Sequence, residues 1–285
     1  MPANVTQYKP PKLLERVRNA CRTRHLSLST EKAYVNWVRR YVRYHHLVHP
    51  GELDKTHVRA FLSYLAVERH VAASTQNQAL AALLFLYEHV LERPLGDVGK
   101  VVRAKRPKRL PLVLSVEEVR AVLGYLRGTH KLVGELLYGS GLRLLECLRM
   151  RVKDIDFGRS ELIVREGKGD KDRVTVLPVS VEEGLRRHLK SVKLVHEADL
   201  NEGVGGVQLP FALARKYPNA AKDWWWQYVF PSRKRSIGPR SGKEGRHHLS
   251  EQAIQRAVRK AVQKIGTGKA GNVPHTSPLV RDAFA

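Results

Sequence analysis

Two cysteines, Cys21 and Cys147, are all that the 285 residues contain, far apart and each within a helical pattern. Their scarcity excludes a disulfide framework and a thiolate metal site, and it fits a reducing cytoplasm. No apolar run reaches the length a bilayer requires, and the leading MPANVTQYKPPK lacks the apolar centre of a signal peptide. No internal repeat is evident. Acids are also in short supply, 27 Asp and Glu against 51 Lys and Arg, which leaves a net charge of +24. The basic residues recur along the whole length, so the expected partner is a polyanion whose counterions are released on binding. A basic protein of ribosomal type shares this balance. With 42% apolar and 27% charged residues, the chain otherwise has the composition of a globular protein of one large or two ordinary domains.

Apolar spacing predicts four amphipathic helices in the first third, over 12–25, 29–47, 54–70 and 74–91, the last opening at Ser74 as N-cap. In the second, Tyr34, Trp37, Val38, Tyr41 and Val42 share one face, and Lys32, Arg39, Arg40 and Arg43 lie on the other. Residues 92–111 then break the period with three prolines and seven Lys or Arg. This stretch reads as a basic linker able to track a phosphate backbone through Arg103, Lys105, Arg106, Lys108 and Arg109, or as a solvated hinge. From Ser115, SVEE supplies a capping box to a helix ending near Leu126, and helices over 130–139 and 142–150 follow. The period next changes from helical to alternating, with Leu162 and Val164, then Val174 and Val176, flanking a Gly-Lys-Gly turn. A helix over 181–196, an irregular aromatic stretch, a glycine-rich basic loop at 232–247 and a last helix over 250–265 complete the pattern.

Two places suit phosphate chemistry. Gly139-Ser140-Gly141-Leu142-Arg143 puts an arginine at a helix start, and Glu146, three residues on, lies on the same face and can hold the guanidinium. The alternative is an ordinary capped helix with a surface ion pair. Lys168, at the hairpin tip between two glycines, is suited to enter a groove and protonate a leaving oxygen, although hairpin tips are often simply polar. The two together in a strongly basic chain form a rarer pattern than either alone.

LLYGSGLRLLECLRMRVKDIDF followed by LIVREGKGDKDRVTVLP resembles the first catalytic box and hairpin of the tyrosine recombinases, the phage integrase superfamily. LSLSTEKAYVNWVRRYVRYH and ASTQNQALAALLFLYEHVL resemble that family's core-binding domain, and LPFALARKYPNAAKDWWWQYVFPS resembles the extra segment of integron integrases. The resemblance implies a mainly α fold with a small β-hairpin sheet. A four-helix core-binding domain at 12–91, the linker at 92–111 and a catalytic domain at 112–285 with an integron-type insertion at about 203–248 would form a C-shaped clamp on DNA. It implies strand exchange through a 3′-phosphotyrosine link, without metal or other cofactor, by a homotetramer on double-stranded and folded single-stranded sites. Arg143 would be the first catalytic arginine, Glu146 its supporting carboxylate, Lys168 the hairpin acid and His275 the histidine of the second box. Trp224 and Trp226 would contact extrahelical bases, joined by His247 and His248; without the resemblance, a Trp cluster is more often ordinary core or an interface patch. The histidines lack a spaced partner set for a metal.

The family's second box has an arginine three residues after its histidine. Here His275 is followed by Thr276, Ser277 and Pro278, with Arg281 out of register. The expectation is a truncated, catalytically defective chain: loss of two nucleotides just after the Thr276 codon would turn a family-like box into Ser277–Ala285 and a stop. The alternative reading is a non-catalytic DNA-binding protein that occupies recombination sites. A basic transcriptional regulator would require a compact helix-turn-helix, and none competes with the recombinase match.

Overall fold

The computed structural model describes residues 12–96, 114–165, 172–209 and 213–266. The chain divides into two compact units, Met1–Arg109 and Leu110–Ala285. No helix among the described residues is long and apolar enough to cross a membrane.

The first unit is a bundle of α1 (Leu13–Thr23), α2 (Leu28–Tyr44), α3 (Lys55–Val67) and α4 (Ala73–His89). Side chains stop backbone N–H groups from being orphaned at two of its helix starts: Ser27 accepts from Thr30, and Asp54 from Thr56 and His57. The expected Ser74 cap is not used. Ala72 is the N-cap of α4, its carbonyl already accepts from Thr75 and Gln76, and the Gln76 side chain is drawn off to the Leu62 carbonyl. Val17, Val38, Phe61, Leu83 and Leu86 fill the centre. Two buried tyrosines need partners there: Tyr41 donates to the Tyr87 hydroxyl at 3.1 Å, and Tyr87 to the Pro50 carbonyl at 3.0 Å.

The second unit opens with α5 (Val116–Tyr125), whose Ser115–Glu118 capping box forms as the sequence predicts. Next come α6 (Gly128–Ser140) and α7 (Leu144–Arg149), then an antiparallel sheet of β1 (Ile155–Asp156), β2 (Glu161–Val164) and β3 (Arg173–Val176) in the order β1-β2-β3. The short β1 was not expected. Leu162 pairs with Thr175 and Val164 with Arg173, so the two apolar pairs of the hairpin face opposite ways. Leu162 and Val164 enter the core, whereas Val174 and Val176 are exposed. The long α8 (Val179–Asn201) extends beyond its expected end because His196 and Asp199 continue its buried face. After α9 (Leu213–Lys216) the basic loop carries a second small sheet, β4 (Ser236–Ile237) with β5 (Glu244–Gly245), and α10 (Glu251–Lys264) closes the unit. Leu136, Leu148, Leu162, Leu185, Phe230 and Val258 meet in one core. Cys21 and Cys147 are both fully buried, each in the core of its own unit.

Gly139 sets the distance between α6 and the end of the hairpin. A Cβ there would lie 2.4 Å from Cγ of Pro178, and a proline ring cannot swing aside. Gly139→Ala is therefore expected to cost about 1–3 kcal/mol, despite alanine's better helix propensity. Urea denaturation of the two proteins measures it.

Candidate active site and nucleic-acid interface

Gly141 takes the left-handed conformation at the end of α6, φ 60°, and turns the chain so that Arg143 becomes the N-cap of α7. Glu146 then closes the cap. Its Oε2 accepts from the Arg143 backbone N–H at 2.8 Å and its Oε1 from Arg143 Nη1 at 2.5 Å. Arg173 approaches from β3 and donates to both oxygens, at 3.1 and 2.9 Å. A further tie joins the same elements, since Thr175 Oγ1 donates to the Ser140 carbonyl at 2.8 Å. The carboxylate side chain is 8% exposed, but the arginines are 40% and 37% exposed, so both guanidinium groups keep a face open to an anion. Burial alone would raise the Glu146 carboxyl; hydrogen bonds from Arg173 and from the Arg143 backbone and guanidinium overcome it and hold the group at about 2. The same carboxylate raises Arg173. This is one anionic group orienting two cations, an arrangement able to receive a phosphate. Lys168 and His275 lie outside the described residues.

The three tryptophans Trp224–Trp226 form a 3-10 turn capped by Asp223 and point three ways. Trp224 packs on the core of the unit, beside His196. Trp226 packs with Val207, Leu209 and Tyr228, and Lys153 Nζ sits 3.0 Å from its ring centroid. Trp225, which the sequence analysis did not select, is the exposed ring at 58%. The Asp223 cap was the available signal, because it sets the phase of the turn. His247 is exposed and His248 half-buried; their rings lie 4.1 Å apart and both meet Tyr228. Burial lowers the His248 imidazole to about 4, so it is uncharged near neutrality, and the partial enclosure of the His247 ring by Tyr228 and His248 lowers it in the same direction. Among the described residues no group of three or more His, Cys, Asp or Glu is placed to hold a metal.

On α2, Lys32, Arg39 and Arg43 are exposed. Arg40 is half-buried, its guanidinium 4.3 Å from the Trp37 ring centroid. Arg39 and Arg43 stand at the rim of an apolar hollow of about 460 Å³ between α1 and the end of α2. The five linker cations Arg103, Lys105, Arg106, Lys108 and Arg109 lie outside the described residues.

Residues 13–97 match the model of the phage integrase N-terminal SAM-like domain, and residues 113–281 that of the phage integrase family. The chain belongs to the phage integrase family. Its members are the tyrosine recombinases, which break and rejoin DNA strands, and the first-box geometry above lies within the matched region. An Escherichia coli protein named integrase/recombinase is 47% identical over 274 residues, covering 96% of this chain and 80% of its own. A Pseudomonas aeruginosa protein of the same name matches equally. The tyrosine recombinase XerA of Thermococcus onnurineus is 38% identical over 168 residues, 58% of this chain and 57% of its own. Among solved structures, XerH bound to its difH substrate before cleavage has a TM-score of 0.56 at 15% identity, covering 97% of this chain and 74% of its own. A lambda integrase dimer on a core site has a TM-score of 0.53 at 15% identity, covering 90% and 78%. At those identities the likeness establishes the fold.

The Glu146 carboxyl titrates at about 2 in the folded recombinase, against an ordinary value of 4.5. The stabilisation it brings is fully present above pH 4.5 and is lost as pH falls towards 2. Discounted for the half-exposed arginines, that contribution is about 2 kcal/mol. Glu146→Gln is expected to lower stability by this amount at pH 7, with the gap to wild type closing in that acid window. Urea midpoints across pH test it. For His248 the folded value of about 4 lies below the ordinary 6.5, so its contribution is present above pH 6.5 and is lost as pH falls towards 4. His248→Gln should flatten the decline of stability between those values, as read by the same measurement.

Proposed function

We propose that this chain is an integron-type site-specific tyrosine recombinase sequence, acting on double-stranded and folded single-stranded recombination sites. The observation that carries the proposal is Arg143, aimed by Glu146 with part of its guanidinium open, in a chain of net charge +24. In this reading Arg143 meets the scissile phosphate, Glu146 supports it, Lys168 protonates the leaving oxygen and His275 opens the second box. Preorganised cations of this kind stabilise charge as it builds on the phosphate, and removing one such donor typically costs about 10²–10³ in rate. Residues 12–91 form the core-binding domain, 92–111 a basic linker and 112–285 the catalytic domain with its insertion at about 203–248. Lys32, Arg39 and Arg43 contact the backbone, and the aromatic and histidine cluster of the insertion contacts extrahelical bases. The solved recombinases of like fold are bound to DNA and the 47%-identical proteins are named integrase/recombinase, which supports a DNA partner. Active assemblies would be tetramers.

A second reading has its own observation. After His275 the sequence runs Thr276, Ser277, Pro278, with Arg281 out of register. In this reading the chain binds sites and cuts them poorly, because the family's second arginine has no counterpart at its spacing and the charge building on the phosphate is left short of one donor.

A suicide DNA substrate whose cleavage cannot be reversed separates these statements. The 285-residue polypeptide is expected to bind it and to leave little covalent adduct on a denaturing gel; abundant adduct would overturn the catalytic defect. Binding should weaken steeply with salt, and Arg39→Ala or Arg43→Ala should each reduce the slope of log K against log salt by about 1. Salt-independent binding, or none, removes the DNA-binding assignment.

A further inference from the structure

The basic loop leaves and returns through one ladder. Pro231 bridges His248, the Ser232 N–H donates to the His247 carbonyl at 2.7 Å, and the Leu249 N–H donates to that of Phe230 at 2.7 Å. Beyond this root stands the two-stranded arm of β4 and β5, with Ile237 70% exposed. A two-stranded ribbon so short is not stable by itself, so its position has to come from elsewhere.

It comes from α8. The Asp199 side chain, 6% exposed, takes four hydrogen bonds from the arm. Oδ1 accepts from Arg235 Nε and Nη2 at 2.9 and 2.7 Å and from Arg246 Nη2 at 2.8 Å, and Oδ2 accepts from Arg246 Nε at 2.6 Å. Arg246 Nη1 then donates to the carbonyls of Ser232 and Arg233, at 2.9 and 2.7 Å, stitching the outgoing strand to the returning one. Arg235 Nη1 also reaches Glu202 at 2.7 Å. An independent contact seats the arm on the same support: a Cβ on Gly245 would lie 2.6 Å from the Gly206 carbonyl oxygen, so β5 presses on the backbone just after α8. The cations of the loop are thus of two kinds. Arg235 and Arg246 turn inward, and Arg233, Lys234, Arg240 and Lys243 are exposed.

We infer that Asp199 is the positioning residue of this arm, fixing it to α8 through Arg235 and Arg246 so that His247 and His248 at its root meet extrahelical bases of folded DNA. This rests on the integron-type reading above. It separates positioning from charge by sign: Asp199→Asn makes the protein more positive, so affinity for plain duplex should hold or rise even as base recognition falls.

The test compares wild type, Asp199→Asn and Arg246→Gln on two probes, a hairpin-folded cassette recombination site carrying extrahelical bases and the same hairpin with those bases deleted. Wild type should prefer the first. Each variant should lose about tenfold on it, the size of one base stack, while changing by about twofold or less on the second. Arg246→Gln keeps the test valid where Asp199→Asn fails to fold, and cleavage by trypsin within 233–246 should be faster in either variant. A retained preference, or equal losses on both probes, overturns the role of Asp199. If wild type does not distinguish the probes, the integron-type reading fails and takes this inference with it.

Discussion

Glu146 accepts hydrogen bonds from two arginines that reach it by different routes, Arg143 from the turn into its own helix and Arg173 from a strand 27 residues along the chain. A buried carboxylate with one such partner would be a cap. With two it fixes the hairpin to the helix whose start carries the first-box arginine, so the site's geometry and the packing of the sheet depend on one charge. The surroundings fit that dependence: the left-handed Gly141, the bare Cα of Gly139 against Pro178 and the Thr175–Ser140 hydrogen bond all bring β3 close to the end of α6. Salt does little to a carboxylate so enclosed, whereas the open faces of its partners feel both salt and ligand.

The large positive charge is not all available for binding. Arg22 is engaged by the buried Glu31, and Arg151 is buried, donating to the carbonyls of Trp226 and Gln208. Arg235 and Arg246 are engaged by Asp199. Those side chains hold the fold together by satisfying carbonyls and carboxylates that water cannot reach. The exposed cations, such as Lys32, Arg39 and Arg43 on α2, are the ones with freedom to follow a phosphate chain. Net charge thus indicates the class of partner but overstates the footprint.

Features set by spacing within one element were legible in the sequence. The α-helices described in the first unit, the Ser115–Glu118 capping box and the Arg143–Glu146 pair each depend on residues a turn or less apart, where local geometry decides who meets whom, and the two hairpin strands show as alternation within each strand. Features set by register or phase were not. Arg173 reaches Glu146 only because β3 pairs with β2 so that Arg173 stands opposite Val164. Trp225, and not its neighbours, is the exposed ring because a 3-10 turn starts at Asp223. The basic loop looked uniformly cationic because the acid that engages it lies 36 and 47 residues away, on a helix the periodicity ended too early.

The two cysteines are sequestered one to a unit, Cys21 on α1 and Cys147 on α7, both without surface exposure, and burial raises the Cys147 sulfhydryl far from its reactive form. Alkylating reagents can reach either sulfur only after the surrounding helices have opened. Each unit thereby carries its own internal clock: the rate at which one sulfur becomes alkylated reports how often that half of the molecule comes apart, separately from the other half.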